Sequence, residues 1–227
     1  MSDDPAPAAG KRDRTLSSLL VAVQEILLES SRPALSVPRV IARAGVSQGT
    51  FYNYFDSLDA AVDGVGALLL VEHARLVDEV TAGVDDPAGV VTHSTRMTLR
   101  LAATGPGYAR LLFDCGLPVD LFLGGLRARL AADVAVGLEQ RRFRADDVEF
   151  VLSMASGSIL GVALELYRRR LPLSAAEATA ERLLLDLGLS AADAAQVAHA
   201  PLDLPDPAPL PIRAVPPRPA EGEGRAS

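Results

Sequence analysis

Residues 35–59, LSVPRVIARAGVSQGTFYNYFDSLD, constrain this chain more than any other stretch. Ser36 is placed to cap a helix with Pro38 in its first turn, where a missing N–H goes unused. Val37, Val40, Ile41 and Ala44 then form an apolar stripe at helical spacing. Gly45 accepts a positive φ, Val46 plugs the angle between two helices, and Ser47 caps the next one. Two short helices joined by a tight turn follow from this order of residues, which is the layout of a helix-turn-helix.

The second helix is anchored by Phe51 and Phe55, one turn apart, which leaves a short uncharged face of hydrogen-bonding groups. Gln48 and Asn53 carry paired donor and acceptor atoms suited to an adenine edge, and Thr50 suits a thymine methyl or a phosphate. Gly49 lets another backbone approach, while Tyr52 and Tyr54 suit phosphate contacts. The same face also fits the exposed side of an ordinary core helix, so a helical protein-interaction module without sequence-specific DNA binding is the competing reading.

The run A-G-V-S-x-G-T-F-Y-x-Y-F from Ala44 to Phe55, preceded by a helix starting near Lys11, resembles the N-terminal signature of the tetracycline-repressor (TetR) family of bacterial transcription regulators. The likeness is strong over residues 12–63; beyond that the chain agrees in length and helical character. It implies a three-helix DNA-binding domain with its first helix near Arg14 to Ser31, a homodimer on a palindromic operator, and a small-molecule switch. Matched residue by residue, it implies recognition-helix roles for Gln48, Thr50, Tyr52, Asn53 and Tyr54 and places Ser36 and Arg39 at the start of the preceding helix; with Ser47 and Gly49 at the start of the recognition helix, these are the expected DNA-binding residues. Two positions depart from the family pattern: Leu58 stands where a phosphate-contacting lysine is usual, and Ile41 where alanine is preferred.

Composition agrees with a regulator and removes other classes. With 227 residues and 49% hydrophobic content the chain can bury a substantial core. A net charge of −7 argues against a nonspecific polyanion binder. Yet between Lys11 and Phe55 six basic residues face three acidic ones, a net +3 that favours phosphates and predicts salt-sensitive affinity. Cys115 is the single cysteine, and His73, His93 and His199 lie too far apart in sequence to suggest a zinc site. No metal and no cofactor is expected, and a reducing cytoplasm fits. No leader pattern and no apolar run long enough for a bilayer is evident, so no membrane partner is expected. Nucleotide-binding glycine loops and clustered metal ligands are missing, and Cys115 has no convincing histidine partner, so no enzyme is read here.

Along the chain we expect an all-α fold of about nine helices. A tail over residues 1–10 and a Pro-rich tail over 201–227, which holds eight of the sixteen prolines, are expected to be disordered. Between them lie a helix-turn-helix domain over residues 11–56 and a larger effector-binding and dimerisation domain over 57–200. Asp56 is expected to cap a fourth helix to Val80 that connects the two, and Ser174 with Glu177 to form a capping box for the ninth. The eighth helix, 146–170, is rich in small residues. Ser153, Ser156, Gly157, Leu160 and Gly161, with Leu183, Leu184 and Leu187 of the ninth, are therefore expected at a four-helix dimer interface, although the same face could pack within one subunit.

An effector pocket is expected among helices four to eight. Its candidates are His73, Arg96, Met97, Arg100, Tyr108, Phe113, Cys115, Phe122, Phe150, Met154 and Tyr167, a mostly apolar and aromatic set that points to a hydrophobic ligand. Core packing is the plainer account of the aromatic residues and Met154, and a solvated stripe that of the two arginines.

Overall fold

The structure is a computed structural model that describes residues 6–30, 32–117 and 119–213. Among the described residues there are ten α-helices, one 3₁₀ turn and no strand, in keeping with the expected all-α class. The chain divides into two compact units, one of residues 1–71 with 211–227 and one of residues 72–210.

The first unit is built around α1 (Ala6–Glu29), whose Leu19, Leu20, Val23, Ile26 and Leu27 are almost fully buried. A 3₁₀ turn at Arg32–Ala34 leads to α2 (Val37–Ala44), which packs on α1, and then to α3 (Gln48–Tyr52). Gly45 makes the corner in the left-handed region at φ 68°, where a Cβ would be strained, and its N–H closes on Ile41 O. Phe51 is 0% exposed and stacks edge-on against Tyr52, burying an aromatic worth about 2–3 kcal/mol of transfer free energy. The following α4 (Leu58–Thr81) passes close to α1: a Cβ on Gly64 would meet Leu20 Cδ2 at 2.9 Å and Phe55 Cε1 at 3.3 Å. Its first turn is capped by Ser57, whose Oγ accepts from Ala60 N–H at 3.0 Å, rather than by Asp56 as expected.

In the second unit α5 (Pro87–Thr104) is the central element, packed on α6 (Pro106–Asp114), α7 (Val119–Glu139), α8 (Val148–Tyr167), α9 (Ala175–Asp186) and α10 (Ala191–Ala198). Asp86 and Asp147 cap α5 and α8 through Ala88 and Phe150 N–H. Leu130, Val134, Phe143, Leu152, Leu183, Leu184 and Leu187 form one apolar cluster; Leu99, Ile159, Ala163 and Leu166 form another. The tenth helix was not expected; its start is marked by Ser190, which accepts from Asp193 N–H at 3.2 Å. The capping box at α9 does not form, because Ser174 is itself helical in φ and ψ and Glu177 turns to Arg96 instead.

Three further expectations are corrected. The helix α8 is 20 residues long with mean hydropathy 1.6, so an apolar stretch of membrane-spanning length does exist; its Leu152, Ile159, Ala163 and Leu166 serve as core of this unit. The N-terminal tail is shorter than expected, since α1 begins at Ala6 and only residues 1–5 of that call lie outside the described residues. Residues 201–213 are seated rather than disordered. Leu202 and Leu204 pack on Leu76, Val80 and Met97, and Ile212 is 6% exposed, because apolar residues alternate with prolines that hold the segment extended. Residues 214–227 of the same call lie outside the described residues.

Candidate nucleic-acid interface and ligand cavity

The N-terminus of α3 is held by its own side chains. Ser47 Oγ accepts from Thr50 N–H at 3.1 Å and lies 2.8 Å from Thr50 Oγ1. With Phe51 as the buried anchor, Gln48, Gly49, Tyr52 and Asn53 are exposed together on one short tip, and Thr50 is half-buried beside them. Asn53 caps the helix C-terminus with its N–H on Gly49 O, so α3 is a single compact turn that ends before Phe55. Such a tip carries hydrogen-bonding groups with no charge of its own, the chemistry that reads base edges in a major groove.

Of the remaining expected contacts, Tyr54 and Arg39 are engaged elsewhere. Tyr54 is half-buried, with its hydroxyl donating to Arg12 O at 3.2 Å and the Arg12 guanidinium 5.9 Å from its ring centre, so it ties α1 to the end of α3. Arg39 donates to Ala34 O at 2.9 Å, and Arg43 grips Glu29 at 2.7 and 2.8 Å and Glu25 at 3.2 Å. Ser36 has the extended backbone of a cap but its side chain makes no capping bond.

The second unit encloses a cavity of about 20 Å³ between α4, α5, α7 and α8. Apolar walls come from Val77, Leu126, Leu130 and Ile159, and polar groups from His73, Ser94, Thr98, Arg129 and Asp133. Thr98 Oγ1 donates its one proton to Ser94 O at 2.8 Å, so at 2.8 Å from His73 Nε2 it accepts, which fixes that histidine as the Nε2–H tautomer. Burial, with the nearby Arg129 charge, pushes His73 down to about 4, so it is neutral at pH 7. Burial raises the Asp133 carboxyl above its ordinary range against the pull of Arg129. Ser94 Oγ and Asp133 Oδ2 are buried and meet no protein partner. This is an apolar chamber with unspent hydrogen-bonding capacity at one side, which suits a small molecule of mixed polarity.

Of the expected pocket residues only His73 lines this cavity. Arg96 is structural: it donates to Ala200 O at 2.7 Å, to Ala198 O at 3.3 Å and to Glu177 at 3.2 Å. Met97 lies in the cluster with Leu76 and Val80. Tyr108 is buried with its hydroxyl on Ala208 O at 2.9 Å, Cys115 is buried, and Phe113 stacks on Tyr167, whose hydroxyl meets Asp114. Arg100 and Phe122 are half-buried and away from the cavity lining. Phe150 and Met154 are 62% and 53% exposed on α8 and do not line this cavity. The missed lining residues Ser94, Thr98 and Asp133 carried no sequence signal beyond lying on one face of a helix.

The expected dimer set divides. Ser156, Leu183, Leu184 and Leu187 are buried inside one chain, so they are unavailable to a partner; Ser156 donates to Leu152 O at 2.7 Å. Ser153, Gly157 and Gly161 are exposed and Leu160 half-buried. Together with Phe150 and Met154 they leave α8 with an outward apolar face, beside a groove of about 390 Å³ that Ala178, Arg182 and Asp186 of α9 complete.

Comparison with known proteins agrees with both halves of this arrangement. Residues 29–61 match the family described as bacterial regulatory proteins, tetR family, and residues 86–200 match the tetracyclin repressor-like C-terminal domain. No curated protein sequence matches the chain. Among solved structures, RolR in complex with resorcinol is similar at a TM-score of 0.69 and 24% identity, covering 86% of this chain and 98% of its own. NalD, the secondary repressor of the MexAB-OprM multidrug efflux pump in Pseudomonas aeruginosa, is similar at 0.60 and 18%, covering 78% and 97%. The fatty acid degradation regulator FadR from Bacillus halodurans is similar at 0.57 and 21%, covering 76% and 98%. The helix-turn-helix, the all-helical second unit and these matches together show that the chain belongs to the tetR family of bacterial transcriptional regulators, with its DNA-binding domain at the N-terminus.

Proposed function

We propose that the chain is a homodimeric repressor that reads a palindromic operator through the α3 tip and leaves it when a small molecule enters the cavity of the second unit. The observation that carries the DNA reading is the joint exposure of Gln48, Gly49, Tyr52 and Asn53 around the buried Phe51. Two such tips related by a two-fold axis read two half-sites. The outward face of α8 at Phe150, Met154, Gly157 and Gly161 is the surface that a second copy covers, since an apolar helix face lined with glycines permits close helix approach.

The effector in this reading is a small, flat, mostly apolar molecule with one or two hydroxyl groups. Val77, Leu126, Leu130 and Ile159 supply the walls, while Asp133 and Ser94 accept or donate to the hydroxyls. RolR binds resorcinol, which makes simple dihydroxybenzenes the first compounds to try. A volume of about 20 Å³ holds roughly one water molecule, so binding requires α4, α5, α7 and α8 to part. Release then follows population-shift arithmetic: about 1.4 kcal/mol of preference for the DNA-incompetent form lowers operator affinity tenfold.

The test is a genomic DNA selection followed by fluorescence anisotropy across a salt series, with Gln48→Ala as control and a panel of phenols added to the complex. Selective binding lost in the variant supports the regulator, and release by a phenol that Asp133→Asn abolishes supports the site. Equal affinity for selected and scrambled DNA would leave the interaction-module reading in its place.

A further inference from the structure

Gln24 is a fully buried amide in the middle of α1, among Leu20, Val23 and Leu27, where an unpaired polar group costs free energy. Outside its own helix its partner is the chain 188 residues later: Gln24 Oε1 accepts from Ile212 N–H at 2.8 Å and Nε2 donates to Ile212 O at 3.0 Å. Ser17 Oγ adds a bond to Arg213 O at 3.2 Å, and the Ile212 side chain is buried. In the second unit the same segment has another seat. Ala208 N–H donates to the buried Glu72 at 2.7 Å, Tyr108 donates to Ala208 O at 2.9 Å, and Arg75 donates to Asp206 O at 3.3 Å. These residues lie beyond the part of the chain that matches the family, which ends at residue 200. Buried polar side chains in each unit are thus satisfied by one proline-rich segment that has no helix of its own.

The first seat adjoins the DNA-reading apparatus. Arg213 lines a groove of about 220 Å³ with Ser17, Glu25, Arg43 and Ala44, and Arg43 and Ala44 are the last two residues of α2 before the Gly45 corner. Arg43 is in turn clamped to Glu25 and Glu29 on either side of the helix turn next to Gln24. The segment seated on α1 here thus faces the end of α2 across this groove, and the turn and α3 follow directly from that end.

We propose that residues 201–213 form a strap with one seat in each unit, and that the Gln24–Ile212 seat holds the helix-turn-helix in its operator-competent form. The strap is a second covalent path, besides α4, from one unit to the other. Drawing it out of its seat lowers operator affinity without altering a single base-reading residue. This inference rests on the regulator reading for its DNA readout, while the seating is measurable without DNA.

Hydrogen–deuterium exchange on the full chain, compared with a free peptide of residues 201–213, measures the seat. Operator affinity by anisotropy measures its consequence. Gln24→Met fills the same buried volume but cannot bond Ile212, and Ile212→Asp empties the seat from the strap side without altering α1. Both variants are expected to raise exchange over residues 209–213 to the rate of the free peptide and to weaken operator binding about tenfold, with exchange in α3 of the free protein unchanged. Exchange at free-peptide rates in the wild-type chain, or a released strap with unaltered operator affinity, overturns the proposal. Should Gln24→Met disturb α1, Ile212→Asp decides. Failure of the wild-type chain to select any DNA sequence sinks the regulator reading, a result separate from full binding by variants whose strap is free.

Discussion

The nearest neighbour outside its own helix that a Cβ on Gly49 would meet is Ser47 Oγ, 3.9 Å away. The fold therefore has room for a side chain at position 49, and glycine in a helix is a cost of about 0.5–1 kcal/mol relative to alanine. An uncompensated cost on an exposed tip makes sense if something outside the chain needs that space. Gly49→Ala should raise the midpoint of thermal unfolding while lowering operator affinity at least about tenfold. Improved stability with unchanged DNA binding would remove Gly49 from the interface.

The Ser47 cap supports the same tip by a different route. Ser47 Oγ takes the Thr50 N–H and sits beside the Thr50 hydroxyl. Ser47→Ala should cost about 1 kcal/mol of stability in denaturant titration. It should also weaken operator binding, because the tip loses part of its order, and Ser47→Asn, which can cap in the same way, should restore both. Restored stability without restored binding would instead make the Ser47 hydroxyl itself a DNA contact.

Much of this region was legible because local chemistry decides it. Pro38, Gly45 and Ser47 act on their own backbones, and Phe51 has nowhere else to go. The cavity of the second unit was not legible, since polar residues such as Ser94 and Asp133 acquire meaning only when four helices bring its walls together. The sequence reading also exchanged two surfaces: Met154 and Phe150 were assigned inward and Leu183, Leu184 and Leu187 outward, yet the structure places them the other way. Helices with apolar residues on several sides do not declare which side faces a core. The seat for Ile212 was illegible for another reason, as hydrogen bonds across 188 residues leave no mark on local composition.

Arg142 clamps the starts of two helices. Its guanidinium bonds Asp86, the cap of α5, at 2.8 and 3.0 Å, and Asp193, in the first turn of α10, at 2.5 and 3.1 Å. The pair is partly exposed, so Arg142→Ala should destabilise the second unit by about 1–2 kcal/mol, more than an isolated surface ion pair. Arg142→Lys should recover only part of that, because a point charge cannot fork between two carboxylates. Equal stability of Arg142→Lys and the wild type in urea titrations would show that charge alone matters.

The outward face of α8 offers a direct test of assembly. Phe150 and Met154 are more than half exposed, so Phe150→Asp with Met154→Asp should leave each chain folded while preventing two copies from meeting. Sedimentation velocity at micromolar concentration should give a dimer for the wild type and a monomer for the double variant, and operator binding should fall with the dimer. A wild-type monomer under these conditions would contradict the homodimer.

His73 gives the second unit a signed dependence on pH. Its folded value of about 4 lies below the ordinary 6.5, so the unfolded chain takes up the proton first and stability falls as pH drops from 6.5 towards 4. The full loss is about 3 kcal/mol, taking 1.36 kcal/mol for each unit. Asp86 and Glu72 cannot mimic this in the upper part of the window. Both are held below their ordinary values, Asp86 chiefly by bonds from Arg142 and Glu72 by bonds from Arg75 and Ala208 that outweigh its burial, so their contributions are lost only as pH falls through their ordinary values of 3.8 and 4.5 and below. Asp133 works in the opposite direction: its raised value means that the folded chain binds a proton more readily, which offsets part of the His73 loss near the acid end. Unfolding midpoints measured between pH 7 and 4.5 should therefore fall in the wild type and fall much less in His73→Gln, whose amide can still donate to Thr98 but takes up no proton. An identical slope in the two proteins would show that His73 is protonated in the folded state, and the cavity would then carry a positive charge that repels cationic ligands.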